Sequence, residues 1–243
     1  MYEGVYRLAE KTIKIVTLYP DMHETARNYH VDDFPEFEVG ITAEDIQYEL
    51  ERLKSMNWPW LDWYTEPELE KTAVLRKTAR WLADQDTLTF HSSGLAVDGQ
   101  GYVFSAASGT GKSTHSRLWR EYLGDAVMMI NDDRPFIIVG EKRAYLCGSP
   151  WDGKHHLSTN TSVPLKGIAV LKRGEENSIR RMPKQEAWPK LFQQTYRPES
   201  SEGTMKVMRL LEHLMKIVPV WELTCNMEPD AARLAYETMS QEV

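Results

Sequence analysis

The residues of this 243-residue chain best suited to chemistry form one run, Ala106-Ala107-Ser108-Gly109-Thr110-Gly111-Lys112-Ser113-Thr114. The run fits the Walker A pattern, with Ala106 where the first glycine usually stands. Gly109 and Gly111 let the backbone curl so that successive N–H groups face inward, which makes an anion-binding nest at a helix N-terminus. In that arrangement Lys112 reaches the β- and γ-phosphates and the Ser113 hydroxyl ligates Mg²⁺. A nucleoside triphosphate, ATP or GTP, is therefore the expected ligand of residues 106–114.

A second set stands beside the first. Asn131-Asp132-Asp133-Arg134 follows the apolar run Ala126–Ile130, so both carboxylates emerge where a strand ends. Adjacent carboxylates suit holding Mg²⁺ and accepting a proton from an attacking hydroxyl. His91 closes a strand upstream of the loop and on its own reads as a structural histidine. Gly148-Ser-Pro-Trp-Asp-Gly-Lys-His-His156 is a shaped loop whose Lys154 and histidines offer donors to an anion. Arg134, Arg173 and Arg197 are candidates for charge stabilisation, whereas Arg117, Trp119 and Arg120 read as packing and surface residues.

His91, Ser108-Gly-Thr-Gly-Lys-Ser-Thr114 and Asp132-Asp133, taken together, resemble the catalytic core of HPr kinase/phosphorylase and its relatives. Those relatives include kinases that modify lasso-peptide precursors and small-molecule serine kinases. The resemblance covers roughly residues 87 to 175. It implies that Lys112 contacts the transferred phosphate, Ser113 and Asp132 take part in the metal site, and Asp133 is the general base. His91 would partner the phosphoryl group or the acceptor. The implied activity is transfer of the γ-phosphate of ATP or GTP to a hydroxyl of a peptide, protein or small metabolite, with phosphorolysis as the reverse reaction and a homo-oligomer as the assembly. The loop also resembles that of phosphoenolpyruvate carboxykinases, so the implied fold is a P-loop core of that shared type. The chain lacks the family's stretch with a second metal-binding glutamate, which argues against HPr itself as acceptor. A nucleotide-sensing module without transfer and a carboxykinase-like enzyme are the competing readings.

The elements that must position these residues give an α/β fold with α+β character. Residues 1–86 read as a small strand-and-helix domain and 87–243 as the nucleotide-binding domain. In the first part Lys11–Leu18 and Glu36–Ile41 read as strands, Thr42 with Asp45 caps a helix, and Thr65 with Glu68 forms a capping box for another. Between them Trp58, Trp60, Trp63 and Tyr64 are read as packing, with a substrate-facing wall as the alternative. In the second part Thr87–His91, Leu95–Asp98 and Tyr102–Ser105 read as strands with a Gly99-Gln-Gly101 turn. A helix runs from Lys112 to about Tyr122. Two final helices close the chain, one carrying Met205, Met208, Leu211, Leu214 and Met215 and one beginning near Asn226.

Charge and composition narrow the partners. A net charge of −7 argues against a nucleic-acid ligand. The longest apolar runs are strand-length, far from the roughly 20 residues of a membrane helix. With no basic-then-apolar leader visible either, the expected location is the cytoplasm, away from the membrane. Two cysteines, Cys147 and Cys225, are too few for a disulfide framework.

Overall fold

The computed structural model describes residues 1–58 and 61–241. The chain opens with strands β1 (Tyr2–Leu8) and β2 (Lys11–Thr17), then the short helix α1 (Asp21–Thr25), β3 (Phe37–Gly40), and helices α2 (Ala43–Ser55) and α3 (Glu66–Asp84). Next come β4 (Thr87–Thr89), β5 (Ser92–Val97), β6 (Gln100–Ser105), α4 (Lys112–Leu123), β7 (Val127–Asn131), β8 (Phe136–Val139), β9 (Ala144–Cys147) and β10 (Ser162–Arg173). The order ends with β11 (Ser178–Arg181), α5 (Lys184–Gln194), α6 (Ser201–Ile217), β12 (Val220–Cys225) and α7 (Asp230–Gln241). No helix among the described residues is long and apolar enough to cross a membrane.

β1–β3 form a sheet of their own. The Thr42–Asp45 capping box opens α2 as expected. Thr65 makes no side-chain cap bond at the start of α3, and the Glu68 carboxylate pairs with Lys71 at 2.6 Å. The core of this part, including Ile13, Ile15, Val39, Val74 and Leu82, runs on to Phe136 and Cys147 of the larger sheet. Leu61 and Tyr64 pack against that core, while Trp63 is 74% exposed. Trp60 lies outside the described residues.

The larger sheet is mixed and curled, with nine strands. Its path is β4-β8-β9-β10-β6-β5-β7, and β12 joins the other side of β10 and carries β11. The long strand β10 makes the bend. Its first residues pair antiparallel with β9, and after an irregularity between Leu165 and Gly167 it runs parallel to β6 and β12. Side chains alternate across the central strands with period two. Leu95, Val97, Tyr102, Phe104, Ala169 and Leu171 face α4 and α7. Ala96, Val103, Ile168 and Val170 face α5 and α6. Burial on both faces explains why β5 and β6 are almost wholly apolar or small in sequence.

The turn between β5 and β6 differs from the sequence reading. The β5–β6 turn is Asp98-Gly99, with φ of 50° and 72°, a tight hairpin turn that leaves Gly101 in the strand. The helix α5 carries Pro189 in its interior, a residue that breaks the helical signal by removing one N–H donor. On α6, Leu211, Leu214 and Met215 are buried, but Met205 and Met208 are exposed. Cys147 and Cys225 are both free.

Gly148 begins the long loop between β9 and β10 and sits where backbone passes backbone. A Cβ there would overlap the Thr159 carbonyl and come within 2.9 Å of the Tyr29 hydroxyl. Gly148→Ala is expected to cost about 1–3 kcal/mol, read as a fall of roughly 2–4 °C in Tm per kcal/mol. Gly40→Ala is the control in the same thermal melts, since a Cβ at Gly40 meets nothing within 4 Å.

Candidate functional site

Strand register assembles the site. β5 pairs antiparallel with β6 so that Ser92 lies opposite Ser105, and antiparallel with β7 so that Gly94 lies opposite Asn131. The start of β5, the end of β6 and the end of β7 therefore meet at one rim of the sheet. His91, Ala106 and Asp132 are the residues just beyond those three ends.

The loop between β6 and α4 takes the conformation its glycines permit. Gly109 and Gly111 have φ of 74° and 122°, and a Cβ built on either meets no protein atom within 4 Å. A side chain would be strained there and would fill the cradle. The Arg173 guanidinium at the end of β10 donates to the carbonyl oxygens of Gly109 and Thr110. Those carbonyls are held outward, which leaves N–H groups for an anion. Ala106 is buried in the core beneath the loop, and Ala107, Ser108, Gly109 and Ser113 are exposed.

α4 is anchored hard against the sheet. Trp119 is fully buried beside Phe104 at 5.2 Å between ring centroids, and burying such a side chain is worth at least 1.5–3 kcal/mol or so. The Trp119 indole N–H donates to His115 Nε2 at 3.0 Å. Burial holds the His115 pKa down at about 3, so the ring is neutral and accepts that bond. Ser116 donates to the Lys112 carbonyl at 3.2 Å and meets the Ser93 hydroxyl at 2.6 Å, tying the helix start to β5.

Asn131 fixes the acidic turn. Its side-chain oxygen accepts from the Asp133 and Arg134 backbone N–H groups at 2.9 and 2.7 Å, and its amide donates to the Ser149 carbonyl at 2.9 Å. The two carboxylates then face different surroundings. Asp132 is buried and accepts from the Gly153 N–H at 2.6 Å. Burial raises its pKa above the ordinary value, assisted by the Asp152 and Asp133 charges and opposed by the Gly153 N–H. For Asp133, burial is the largest single influence and also acts upward. His91 and Arg134 outweigh it and bring the pKa below the ordinary carboxylate value. His91 Nε2 lies 3.3 Å from Asp133 Oδ1, and Arg134 Nε is 3.3 Å from Oδ2.

Gln194, at the end of α5, completes this group without any signal in the sequence. Its carbonyl accepts from the His91 backbone N–H at 2.8 Å, and its side chain meets His91 Nδ1 at 2.9 Å. Both contacts bridge residues far apart in the chain, where no local pattern exists to read. Gln194 is a positioning residue, since it acts through His91.

An open cleft of about 800 Å³ collects His91, Ser108, Gly109, Gly111, Lys112, Ser113, Thr114, Asp132 and Asp133, together with Gly153, Lys154 and His155. Lys112 is buried and donates to the Ala106 carbonyl at 3.0 Å. Burial lowers its pKa, the Asp133 carboxylate opposes that shift, and Arg134 reinforces it. Ala106, Ala107 and Thr110 do not border the cleft. Arg117 and Arg120, read from the sequence as surface and packing residues, do border it. Arg197 is elsewhere, over the Phe192 ring and bonded to the Phe192 carbonyl. His156 is exposed and bonded to Asp152.

No protein-family model matches the sequence, and no curated protein matches it. Among solved structures, the chain is similar to the Hpr(Ser) kinase/phosphatase from Coxiella burnetii. The identity is 11% over 63% of this chain and 97% of that one, and the TM-score is 0.38. So distant a likeness assigns no activity, and the chemistry has to be read from the cleft.

The cleft can accommodate a triphosphate and a magnesium ion. The glycine cradle, the adjoining N–H groups and Lys112 fit phosphate oxygens. Among the described residues no group of three or more His, Cys, Asp and Glu side chains could hold a metal. Mg²⁺ typically takes one or two protein carboxylates and fills its remaining positions with phosphate oxygens and water. Ser113 and Asp132 fit that pattern.

The opposed carboxylate shifts have opposite effects on folding. The raised Asp132 pKa means that its charged form is disfavoured in the fold, so its contribution worsens as pH rises through the raised value. The lowered Asp133 pKa stabilises the fold above the ordinary carboxylate pKa, and that gain is lost as pH falls through the lowered value. In thermal melts of the ligand-free protein at pH 7, Asp132→Asn should raise Tm and Asp133→Asn should lower it. Equal shifts of the same sign would show that the pair is not electrostatically divided in this way.

Proposed function

We propose that the chain is a phosphotransferase that moves the γ-phosphoryl group of ATP or GTP, with Mg²⁺, to a hydroxyl of a peptide, protein or small metabolite. The observation that carries the reading is the convergence of a Walker-type loop with the His91–Asp133 pair in one cleft. A loop alone would suit any nucleotide-binding protein. A carboxylate held ionised beside the loop lysine supplies a place for the proton that a hydroxyl must give up.

Backbone N–H groups of Ser108, Gly109 and residues 111–114 would donate to the phosphate oxygens, and Lys112 would neutralise charge on the β- and γ-phosphates. Ser113 and Asp132 would hold Mg²⁺, whose chemistry is to offset charge between those phosphates. Asp132 would be favoured in its ionised form by a cation held there, which would offset the cost of its burial. Asp133 would orient the acceptor hydroxyl and take its proton as the new O–P bond forms and the bond from phosphorus to the bridging oxygen breaks. The nucleoside diphosphate leaves with that oxygen. A carboxylate of lowered pKa is a weak base, which suits a loose transition state in which the proton moves late. His91, held by Gln194, would keep Asp133 in line and partner the transferred group. Phosphoryl transfer asks for positioning and charge neutralisation more than covalent chemistry, and the cleft is equipped for both.

The test is transfer of label from γ-labelled ATP with Mg²⁺ into a fractionated cell extract, with wild type run beside Lys112→Ala and Asp133→Asn. Wild type should label an acceptor. Asp133→Asn should bind nucleotide yet transfer about 10²–10⁴-fold more slowly, and Lys112→Ala should label nothing. Full transfer by Asp133→Asn would remove it as the base. Nucleotide binding by wild type with no labelled product would favour a sensing module instead.

A further inference from the structure

Besides Lys112 of the loop, three further cations border the cleft. Lys112, Arg117, Arg120 and Lys154 border it against two carboxylates, Asp132 and Asp133, in a chain whose net charge is −7. Concentrating cations against the overall sign of the protein is the usual mark of an anion site.

Placement separates these cations from the phosphate loop. Ser113, Arg117 and Arg120 fall on one face of α4, spaced by four and then three residues. At 1.5 Å per residue, Arg120 stands about 10 Å along the helix axis from Ser113. Lys154 comes from the loop that also presents Gly153 to Asp132, and Met129 and Leu157 line the same space. Arg117 pairs with Glu121. Neither Arg120 nor Lys154 has a carboxylate at ion-pair distance among the described residues. The Arg120 Nε–H is shut off from solvent and has no hydrogen-bond partner. A buried donor left unpaired costs about 1–3 kcal/mol, and a bound oxyanion that draws the guanidinium into a paired arrangement would recover it.

Resting on the reading that the phosphate loop holds a nucleotide, we propose that the hydroxyl-bearing acceptor carries an oxyanion group of its own, gripped by Arg120 and Lys154 with Arg117 at the rim. Such an acceptor is a small hydroxy acid, a phosphorylated alcohol or an acidic residue next to the modified hydroxyl. A neutral alcohol would leave Arg120 and Lys154 without an anionic partner.

The test is calorimetric titration of sulfate, and separately of succinate, into protein saturated with Mg²⁺ and β,γ-imido-ATP. Wild type should bind one equivalent of at least one probe, and the tighter of the two tells phosphate from carboxylate. Arg120→Gln and Lys154→Gln should each weaken that binding by about tenfold or more, beyond any loss in nucleotide affinity. If one variant does not fold, the other carries the comparison. Absence of anion binding to loaded wild type overturns the proposal, as do substitutions that weaken nucleotide and anion equally, since the cations would then serve the triphosphate. Should the imido nucleotide itself fail to bind, the nucleotide reading falls instead. Sulfate titrated into Lys112→Ala, with and without Arg120→Gln, then decides whether Arg120 holds an anion: a loss with Arg120→Gln supports the site, and no difference removes it.

Discussion

Antiparallel pairing of β5 with both β6 and β7 is the constraint on which the rest of the molecule depends. It sets Ser92 opposite Ser105 and Gly94 opposite Asn131, so three chain ends arrive at one rim. A slip of one residue would move each side chain to the other face of the sheet and disrupt the packing of both layers. The alternation of Leu95, Ala96 and Val97 and of Tyr102, Val103 and Phe104 between two apolar layers resists that slip. The hydrophobic core is thus what holds His91, the glycine loop and the acidic turn in a fixed relation. The Asp98-Gly99 turn supports the same register from the far end of the hairpin.

On that rim, electrostatics divide two adjacent residues of the same type. Asp132 is turned into the protein against Gly153 and bears a desolvation cost. Asp133 is turned toward His91 and Arg134, which keep it ionised. Two neighbouring groups with pKa values driven apart are a recurrent sign of divided chemical roles. The bracing is second-hand throughout: Asn131 holds the turn, Ser149 anchors Asn131, Gln194 holds His91, and Arg173 holds the loop. Such supports matter because a site loosened by an ångström loses much of its positioning advantage.

The fold also explains why the cleft is open and charged rather than a closed apolar pocket. Its walls are a helix N-terminus, a strand end and a loop shaped by close backbone contact at Gly148, none of which contributes large apolar side chains. The exception is the floor of Met129 and Leu157 along α4. Meanwhile, among the described residues of the aromatic segment before α3, Trp58, Trp63 and Tyr64 take no part in the cleft, and Trp151 is committed to the Lys71 carbonyl and the Phe136 ring.

Much of the candidate site is legible in the sequence because its parts are local. The loop is a contiguous run whose glycines, lysine and serine have meaning through backbone conformation, and Asp132-Asp133 follows a strand in plain apolar periodicity. The Thr42–Asp45 cap is legible for the same reason. The Thr65–Glu68 cap has the right pattern but does not form, and the Glu68 carboxylate pairs with Lys71 one turn on. What only tertiary structure decided is everything that depends on long-range packing: the meeting of His91 with Asp133, the support from Gln194, the grip of Arg173, the path of α5 despite Pro189, and the turning of Arg117 and Arg120 toward the cleft. Local sequence fixes which conformations a segment tolerates, whereas the direction in which a side chain points is set by the burial of faces contributed from across the chain.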